Sequence, residues 1–266
     1  MDATLPSVSV AGMAERFGAG RFPCLIDVRR EERYTEASHV IRGARRRSPD
    51  QVEVWAQALP RDGEIVVYCV HGHEVSQNTA AALIRRGLNA TYLEGGIEAW
   101  RESRGALQPK PPAVPSRWIT RERPKIDRIA CPWLVRRFVD PDAVFLYVPA
   151  DQVFARAQEL GAEPYDIPGA AYSHDGERCS FDTFIAKHGL GDDPALARLA
   201  LIVRAADTGR PELAAQAAGL LAVSLGLSAM FQDDDRMLTQ GMLLYDALYA
   251  WCASAQAEKH NWPPVA

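Results

Sequence analysis

The sequence has few cysteines and lacks the cysteine patterns that bind structural zinc or build a disulfide framework. Its five cysteines are odd in number and widely spaced, and no two of them form a Cys-x-x-Cys pair. Such a set is typical of reduced thiols in a cytosol. The N-terminus also lacks a basic segment followed by an apolar core, so we expect no secretory leader and a cytoplasmic location.

An excess of charge of one sign is missing as well. The formal net charge is −4 over 266 residues, which argues against a general affinity for nucleic acid. No helix-turn-helix signature is visible, so a transcriptional regulator is not favoured. The stretch 213–232 contains no charged residue but is rich in alanine, glycine, serine and glutamine. It predicts a buried helix that ends near Gly226, and we expect no membrane partner.

A cysteine stands at the end of a predicted buried strand. Three β-branched residues and a tyrosine over 65–68 predict the strand, Cys69 follows it, and Gly72 permits a tight loop before a helical pattern that begins at Ser76. Backbone N–H groups and the helix dipole stabilise a thiolate at such a position. Cys69 is therefore a candidate nucleophile, with a buried structural cysteine as the alternative.

Around this segment, predicted strands alternate with predicted helices. The strands cover 22–28, 64–68 and 91–93, and the helices cover 7–17, 50–59, 76–87 and a segment after Gly95-Gly96. This order predicts an α/β fold, with a parallel sheet and helices on both of its faces. Ligands of such sheets bind at the carboxyl ends of the strands, where Cys69 lies.

Three separated segments resemble, in order and spacing, the signatures of a rhodanese (sulfurtransferase) domain: LIDVRREERYTEASHVIRGA, VVYCVHGHEVS and YLEGGIEAW. The resemblance covers roughly residues 5–107. It implies that Cys69 carries a persulfide, that sulfur transfer requires no cofactor, and that the donor is a small-molecule or protein persulfide. It also implies a substrate-binding set that consists of Val70, His71, Gly72, His73, Glu74, Val75, Ser76, Asp27, Arg29 and Arg42.

The segment after Cys69 contains no arginine or lysine, whereas familiar rhodaneses often place one there to bind anionic thiosulfate. Its His71, His73 and Glu74 predict that thiosulfate is a poor donor. The two histidines supply partial positive charge beside the thiolate or, alternatively, bind a metal. A cysteine-based phosphatase requires an arginine after five intervening residues, and Val75 stands there, so the phosphatase interpretation is not favoured.

A proline-rich stretch then divides the chain. Four prolines lie between Gly105 and Ser116 and predict a semi-rigid, extended linker. We therefore expect a rhodanese-like domain over 1–107, the linker over 108–116 and a second domain over 117–266. That second domain is predicted to be mostly α-helical (α+β) with one or two strands: a strand at 144–148 and helices at 133–138, 151–160, 194–206, 211–225 and 233–254.

Three segments of this second half resemble the C-terminal domain of ChrB-type chromate-resistance proteins: RPKIDRIACPWLVRRFVDPDAVFLYVP, HDGERCSFDTFI and YDALYAWC. The resemblance covers about residues 116–262. It implies a role in chromate resistance, as a sensor or as an accessory of a chromate-efflux system.

Two ligand sites are candidates in this half. A divalent metal such as Zn²⁺ suits a mixture of nitrogen, sulfur and oxygen donors. Its candidate ligands are His174, Cys179 and Asp182, with Asp127 or Asp207 brought in by folding. A polar turn with a buried cysteine is the alternative. The candidate ligands of an oxyanion such as chromate or sulfate are instead the basic residues Arg121, Arg123, Lys125 and Arg128. The alternative interpretation of these four residues is an exposed charged segment.

Together the two resemblances predict a two-domain sulfurtransferase. It moves sulfane sulfur through a Cys69 persulfide, and its second domain links it to chromate resistance or to oxyanion or metal sensing. A non-catalytic redox or chromate sensor that regulates an efflux system is the alternative. No nucleic-acid partner is expected, and the sequence assigns neither a sulfur acceptor nor an oligomeric state.

Overall fold

A computed structural model describes residues 5–258, which form two compact units. The first unit consists of 5–17, 22–120 and 132–164, and the second consists of 18–21, 121–131 and 165–258. The units are therefore interleaved along the chain, whereas the sequence-based boundaries near 107 and 117 separate contiguous parts. Those boundaries stay a prediction.

The secondary structure alternates strands and helices up to residue 164 and is helical from residue 180 onward. The strands are β1 (Ser7–Val8), β2 (Cys24–Asp27), β3 (His39–Ile41), β4 (Arg45–Arg46), β5 (Ile65–Tyr68), β6 (Ala90–Leu93), β7 (Leu107–Pro109), β8 (Arg117–Arg121), β9 (Val144–Val148) and β10 (Glu163–Pro164). The α-helices are α1 (Val10–Gly18), α2 (Glu31–Glu36), α3 (Val52–Trp55), α4 (Glu74–Arg85), α5 (Gly96–Glu102), α6 (Asp127–Phe138), α7 (Val153–Leu160), α8 (Ser180–Lys187), α9 (Pro194–Asp207), α10 (Ala217–Met230) and α11 (Asp234–Ala250).

The central sheet of the first unit is parallel, and both of its faces are covered. Its strand order is β1-β6-β5-β2-β4, and the four strand pairings are all parallel. Successive residues of the middle strand β5 enter opposite cores, since Val67 belongs to the same core as Leu83 of α4, whereas Val66 belongs to the same core as Trp100 of α5. This arrangement confirms the predicted α/β fold with helices on both faces.

The second unit is mainly helical, as the pattern of the second half predicts. The second half of the chain was expected to contain one or two strands, which was wrong, because its strands β10, β8 and β9 form a three-stranded sheet in that order. Apart from Arg121, these strands belong to the first unit. The strand β8 was missed because it carries arginine at both ends, and β10 has only two residues. Within residues 5–258, no helix combines the length and apolarity needed to cross a bilayer.

Several predicted helix bounds are corrected. The helix predicted at 7–17 begins only at Val10, after β1, and the one predicted at 50–59 is the short α3 between two 3₁₀ turns. The helix predicted at 211–225 starts as a separate 3₁₀ turn, Pro211–Leu213, and α10 follows it. α10 passes Gly226 because a glycine weakens a helix without ending it. It is only partly buried, since Leu225 is 49% exposed.

Pro132 lies inside α6, which begins at Asp127. The sequence analysis had instead predicted that the helical pattern starts at about this proline and continues over 133–138. A proline within a helix leaves the carbonyl four residues earlier without its N–H donor. That carbonyl belongs to Arg128, and the Tyr165 hydroxyl donates a hydrogen bond to it at 3.2 Å. A tertiary contact thus replaces the missing helical bond and lets the helix begin at Asp127.

The first part of the proline-rich linker is a strand that pairs with another segment of the first unit. This strand is β7, which pairs antiparallel with β3 in the register Val40↔Gln108. The Gln108 side chain accepts a hydrogen bond from the Gly43 backbone N–H at 3.0 Å and donates to the Val139 carbonyl at 2.8 Å. Pro109 is tolerated because it ends the strand, where a missing N–H matters least.

Candidate functional site

Cys69 lies at the carboxyl edge of the central sheet, directly after its middle strand β5. It is 6% exposed, and its Sγ lies 3.2 Å from the Oγ of Ser76, which is buried in the first turns of α4. The same hydroxyl lies 3.1 Å from the His73 carbonyl oxygen. Ser76 can therefore donate to that carbonyl while Cys69 is a thiol, or turn and donate to a thiolate.

The loop that follows Cys69 is shorter than predicted, because α4 begins at Glu74 rather than at Ser76. The loop proper is 70–73, and the predicted loop residues from Glu74 onward form the first turn of α4. His71, His73 and Glu74 are exposed, and the two imidazole centroids are 6.0 Å apart. The solvent side of the loop thus presents two imidazoles and one carboxylate.

The start of α5 holds this loop in place through backbone contacts. The N–H groups of Ile97 and Glu98 donate to the carbonyl oxygens of Cys69 and Val70 at 3.0 and 3.1 Å. Gly96 has a φ of 60°, and a Cβ there would lie 2.5 Å from the Cys69 carbonyl oxygen. Only glycine permits this close approach, which explains the Gly-Gly pair of the third rhodanese-like segment.

Asp27 and Arg29 form a buried ion pair at the carboxyl end of β2. The Arg29 Nε and Nη2 both donate to the carboxylate, with an Nη2–Oδ2 distance of 2.5 Å. The Tyr68 hydroxyl also donates to Asp27 at 3.0 Å, and Arg29 Nη2 donates to the His39 carbonyl at 3.0 Å. Burial, together with the charge of Asp27, raises the pKa of Tyr68 and keeps its hydroxyl a donor. The pair joins the ends of β2 and β5 to β3 and supports the edge at which Cys69 lies.

Arg42 does not lie at that edge. Its side chain lines a cavity of about 290 Å³ together with residues that precede or begin the strands, among them Cys24, Arg45 and Glu64. Its Nε is buried without a hydrogen-bond partner among residues 5–258. Because the amino and carboxyl ends of parallel strands form opposite edges of a sheet, Arg42 is placed away from Cys69, and its inclusion in the substrate-binding set is corrected.

In the second unit, three aspartates surround His174. The His174 Nε2 lies 3.2 Å from Asp207 Oδ2, 3.4 Å from Asp166 Oδ1 and 3.6 Å from Asp127 Oδ2. Asp127 is the first residue of α6 and Asp207 the last residue of α9, whereas Asp166 and His174 lie between β10 and α8. Asp127 is fully buried, but the His174 side chain is 41% exposed, so the cluster opens to solvent at the imidazole.

The four groups shift one another's protonation. Burial and the neighbouring carboxylates raise the pKa of Asp127 and, less strongly, that of Asp207. Burial also raises the pKa of Asp166, but hydrogen bonds from His174 and Ser180 outweigh it and leave that pKa lowered. The hydrogen bond to Asp166 raises the pKa of His174 to about 9 against the effect of burial. A protonated imidazole thus supplies positive charge to the carboxylates when no other cation does.

Cys179 and Asp182 were predicted as metal ligands, but they serve the start of α8. Cys179 is the N-cap residue; its backbone N–H donates to Asp182 Oδ2 at 3.0 Å, and its Sγ lies 3.4 Å from the same oxygen. Arg204 donates to both oxygens of Asp182, at 2.8 and 2.5 Å. Burial, together with the charges of Asp127 and Asp182, raises the pKa of the Cys179 thiol. The grouped donor atoms instead come from Asp127, His174 and Asp207, which revises the predicted ligand set.

Three of the four basic residues predicted to bind an oxyanion are engaged within the protein. Arg121 and Arg128 contact Asp166, with Nη2–Oδ2 and Nε–Oδ2 distances of 3.1 and 3.4 Å. Arg123 Nη1 donates to the backbone carbonyl of Phe231, the residue after α10, at 2.8 Å. Lys125 is half-buried. The alternative of an exposed charged segment is therefore wrong, and two of these arginines neutralise Asp166.

Sequence reasoning gave no role to Asp166. Its backbone has a φ of 51°, a left-handed conformation that aspartate adopts more readily than most residues. The turn that contains it, 165–169, includes a proline and a glycine, and this was the only local signal. Its place in the cluster depends on the distant side chains of His174 and Ser180, the second of which donates to Asp166 Oδ1 at 2.7 Å.

Comparison with protein families matches residues 118–252 to the ChrB C-terminal domain and residues 9–103 to the rhodanese-like domain. Both resemblances that the sequence predicts are thereby confirmed. Protein ChrB from Cupriavidus metallidurans is 37% identical over 137 residues, which cover 52% of this chain and 41% of that protein. The chain therefore spans less than half the length of this curated relative.

The N-terminal half has relatives of its own. Thiosulfate sulfurtransferase GlpE from Stutzerimonas stutzeri is 32% identical over 80 residues, which cover 30% of this chain and 71% of that protein. A rhodanese-related protein of known structure from Thermoplasma volcanium is 25% identical, with a TM-score of 0.34, and the match covers 38% of this chain and 96% of that one.

Proposed function

This chain belongs to the family defined by the ChrB C-terminal domain, and we propose that it is a sulfurtransferase that carries sulfane sulfur as a persulfide on Cys69 and serves chromate resistance. The position of Cys69 supports the first part. It follows the middle strand of a parallel sheet, precedes the N-terminus of α4 and lies 3.2 Å from the Ser76 hydroxyl. The chromate part rests on the family resemblance.

The proposed chemistry consists of two displacements at sulfur. The Cys69 thiolate attacks the sulfane sulfur of the donor, a sulfur–sulfur bond forms, and the donor leaves with the electron pair of the broken bond, as sulfite when thiosulfate is used. A nucleophilic acceptor such as cyanide then attacks the terminal sulfur of the persulfide. Thiocyanate departs, the Cys69 thiolate is restored, and no cofactor takes part.

The surrounding residues stabilise the sulfur anions in both steps. The N-terminus of α4 directs its free N–H groups and the positive end of its dipole toward the loop. Ser76 supplies a hydroxyl donor within reach of Cys69 Sγ. Glu74 opposes a dianionic donor, and we therefore assign an uncharged or protein-bound persulfide, rather than thiosulfate, as the donor.

A persulfide map tests the proposal. The full chain is incubated with a polysulfide or a cysteine persulfide, alkylated and digested, and the peptides are weighed by mass spectrometry. We expect one additional sulfur on the peptide that contains Cys69 and its removal by cyanide with stoichiometric thiocyanate. A persulfide confined to another cysteine, or one that forms without turnover, contradicts the sulfurtransferase assignment.

Replacing Glu74 by arginine is expected to raise kcat/KM for thiosulfate by roughly three- to tenfold, because an unfavourable charge beside the dianion becomes a favourable one. The measurement is thiocyanate formation at subsaturating thiosulfate. The matched control is Glu102→Arg, which makes the same charge change at an exposed position at the end of α5. An unchanged value in Glu74→Arg would show that the backbone cradle alone sets the choice of donor.

A non-catalytic sensor is the second candidate function, and the low exposure of Cys69 favours it, since a donor has little access to a thiol that is 6% exposed. Turnover in vitro, measured together with growth on chromate, separates the two. A strain that lacks this gene is complemented with the unaltered chain or with Cys69→Ser. The sulfurtransferase proposal expects rescue only by the unaltered chain together with turnover in vitro, whereas a sensor gives the same growth difference without turnover.

A further inference from the structure

The cluster around His174 plays no part in the proposed sulfur transfer, and it lies in the second unit. Its side chains come from the first residue of α6, the last residue of α9 and the segment between β10 and α8. One donor atom from each of Asp127, His174 and Asp207 lies within 4.8 Å of the other two. Ligand atoms that are each about 2.0–2.2 Å from a shared tetrahedral cation lie about 3.3–3.6 Å from one another. The distances from His174 Nε2 to Asp207 Oδ2 and Asp127 Oδ2, 3.2 and 3.6 Å, are close to this separation. Binding one ion therefore requires mainly that the two carboxylates turn toward each other.

The Asp127 carboxylate provides the second observation. Its Oδ2 accepts hydrogen bonds from the backbone N–H groups of Ser180 and Phe181, at 2.6 and 3.4 Å. Its Oδ1 is buried and has no N–H or O–H donor within residues 5–258, and the weakly donating Cys179 thiol is the other side chain that hydrogen-bonds to this carboxylate. A buried carboxylate oxygen without a strong donor is unfavourable, and a bound cation beside the cluster would satisfy it.

Asp166 is suited to a supporting part. Ser180 Oγ donates to its Oδ1 at 2.7 Å, and Arg121 and Arg128 contact its Oδ2. Its charge is thus already balanced, and its oxygens are already used. It lies 3.4 Å from His174 Nε2 and accepts a hydrogen bond from that nitrogen when the imidazole is protonated.

We propose that Asp127, His174 and Asp207 bind one divalent transition-metal cation, and that Asp166 takes part only in the metal-free state, as the hydrogen-bond acceptor of the protonated imidazole. The cation bonds to the His174 Nε2 lone pair and so occupies the place of the proton that this nitrogen otherwise shares with the carboxylates. Three protein donors leave coordination positions for water, and the exposure of the His174 side chain, 41%, gives the ion an entry path.

The donor set selects the class of metal. Two carboxylates and one imidazole, without a thiolate, suit Mn²⁺, Fe²⁺ and Zn²⁺, whereas a site that prefers Mg²⁺ or Ca²⁺ is built from oxygen donors. The cysteine nearest to the cluster, Cys179, is occupied in the cap of α8 and adds no soft ligand. The inference goes beyond the proposed sulfur transfer, and its test does not measure that activity.

The test uses the full chain, without an affinity tag and stripped by a chelator. Mn²⁺ is titrated in, and the free ion is counted from its six-line electron paramagnetic resonance spectrum. Zn²⁺ and Mg²⁺ are added separately in thermal melts. We expect one Mn²⁺ per chain, competition by Zn²⁺, and a rise in melting temperature with Zn²⁺ that equimolar Mg²⁺ does not give.

Two variants and one control locate the site. Asp207→Asn and His174→Gln keep the side-chain size, and each is expected to weaken Mn²⁺ binding at least tenfold. The control, Asp175→Asn, removes a charge from the exposed residue next to His174 and should bind as the unaltered chain does. Melts without metal show whether each variant is folded, and if one is not, the other decides.

Two results would overturn the proposal. One is that millimolar Mn²⁺ and Zn²⁺ neither bind nor raise the melting temperature of the unaltered chain. The other is that both folded variants bind Mn²⁺ as tightly as the control does. Either result would assign the cluster to a polar network in which a protonated His174 holds the three carboxylates together.

Discussion

Replacing Cys69 by serine is expected to lower the rate of sulfur transfer by at least about a thousandfold, to the level of the uncatalysed reaction. A serine hydroxyl remains protonated at neutral pH and forms no stable bond to sulfane sulfur, so neither displacement step can occur. The serine is nearly the size of cysteine, and the neighbouring Ser76 can still hydrogen-bond to it, so the fold should be unchanged. Initial rates with a persulfide donor and cyanide, together with a thermal melt, measure both effects.

The other four cysteines provide the controls. These cysteines are Cys24, Cys131, Cys179 and Cys252. Burial raises the pKa of each of their thiols, and that of Cys252 to about 11. All four thiols are therefore protonated at neutral pH and are poor nucleophiles. Cys24→Ser is the matched variant because it lies at the opposite end of the parallel sheet, and it should retain full activity. Substantial activity in Cys69→Ser, or its loss in Cys24→Ser, would assign the sulfur carrier to a different thiol.

Replacing Arg29 by alanine is expected to lower the free energy of unfolding by about 3 kcal/mol, at the low end of the cost of removing one partner from a buried ion pair. Asp27 is fully buried and would lose the guanidinium that donates to both of its oxygens. The Tyr68 hydroxyl and the backbone N–H of residue 29 still donate to the carboxylate and keep the loss from being larger. Urea unfolding followed by circular dichroism gives the value.

An exposed ion pair in the same unit serves as the comparison. Arg33 contacts Glu36 at 3.3 Å, with side chains that are 69% and 68% exposed, so Arg33→Ala should change the unfolding free energy by less than about 0.5 kcal/mol. The double variant Asp27→Leu/Arg29→Met should recover much of the stability that Arg29→Ala loses, because no buried charge is left without a partner. Equal effects of Arg29→Ala and Arg33→Ala would mean that solvent reaches Asp27.

Much of the first unit could be predicted from local sequence. The β-branched run before Cys69 and the alternation of strands and helices are sufficient for a parallel sheet, since each pattern depends on neighbouring residues. The position of Cys69 at the strand end follows from the same pattern. The start of α4 was predicted two residues late because Glu74 and Val75 carry no signal that separates a tight loop from a first helical turn.

Contacts between distant segments account for the errors. Pro132 was taken as part of a first turn because the Tyr165 hydroxyl that satisfies the Arg128 carbonyl is far away in sequence. The linker was predicted to be extended because proline is abundant there, and its first part is indeed an extended strand, but its pairing with β3 could not be foreseen because the partner lies about 70 residues earlier. Arg42 was assigned to the Cys69 site by its place in a motif, and only the sheet geometry shows that its side chain points toward the other edge.

The sequence by itself determined the nucleophile candidate, the parallel sheet that presents it and the two families to which the halves of the chain are similar, because each of these is encoded by residues that are close together in the chain. Only the tertiary structure decided which groups surround His174. Asp127 begins one helix and Asp207 ends another, and the two are brought together by the packing of the second unit. A cluster assembled from such separated side chains has no fixed spacing in the sequence, so local patterns placed the nearby Cys179 first and left Asp207 as one of two alternatives.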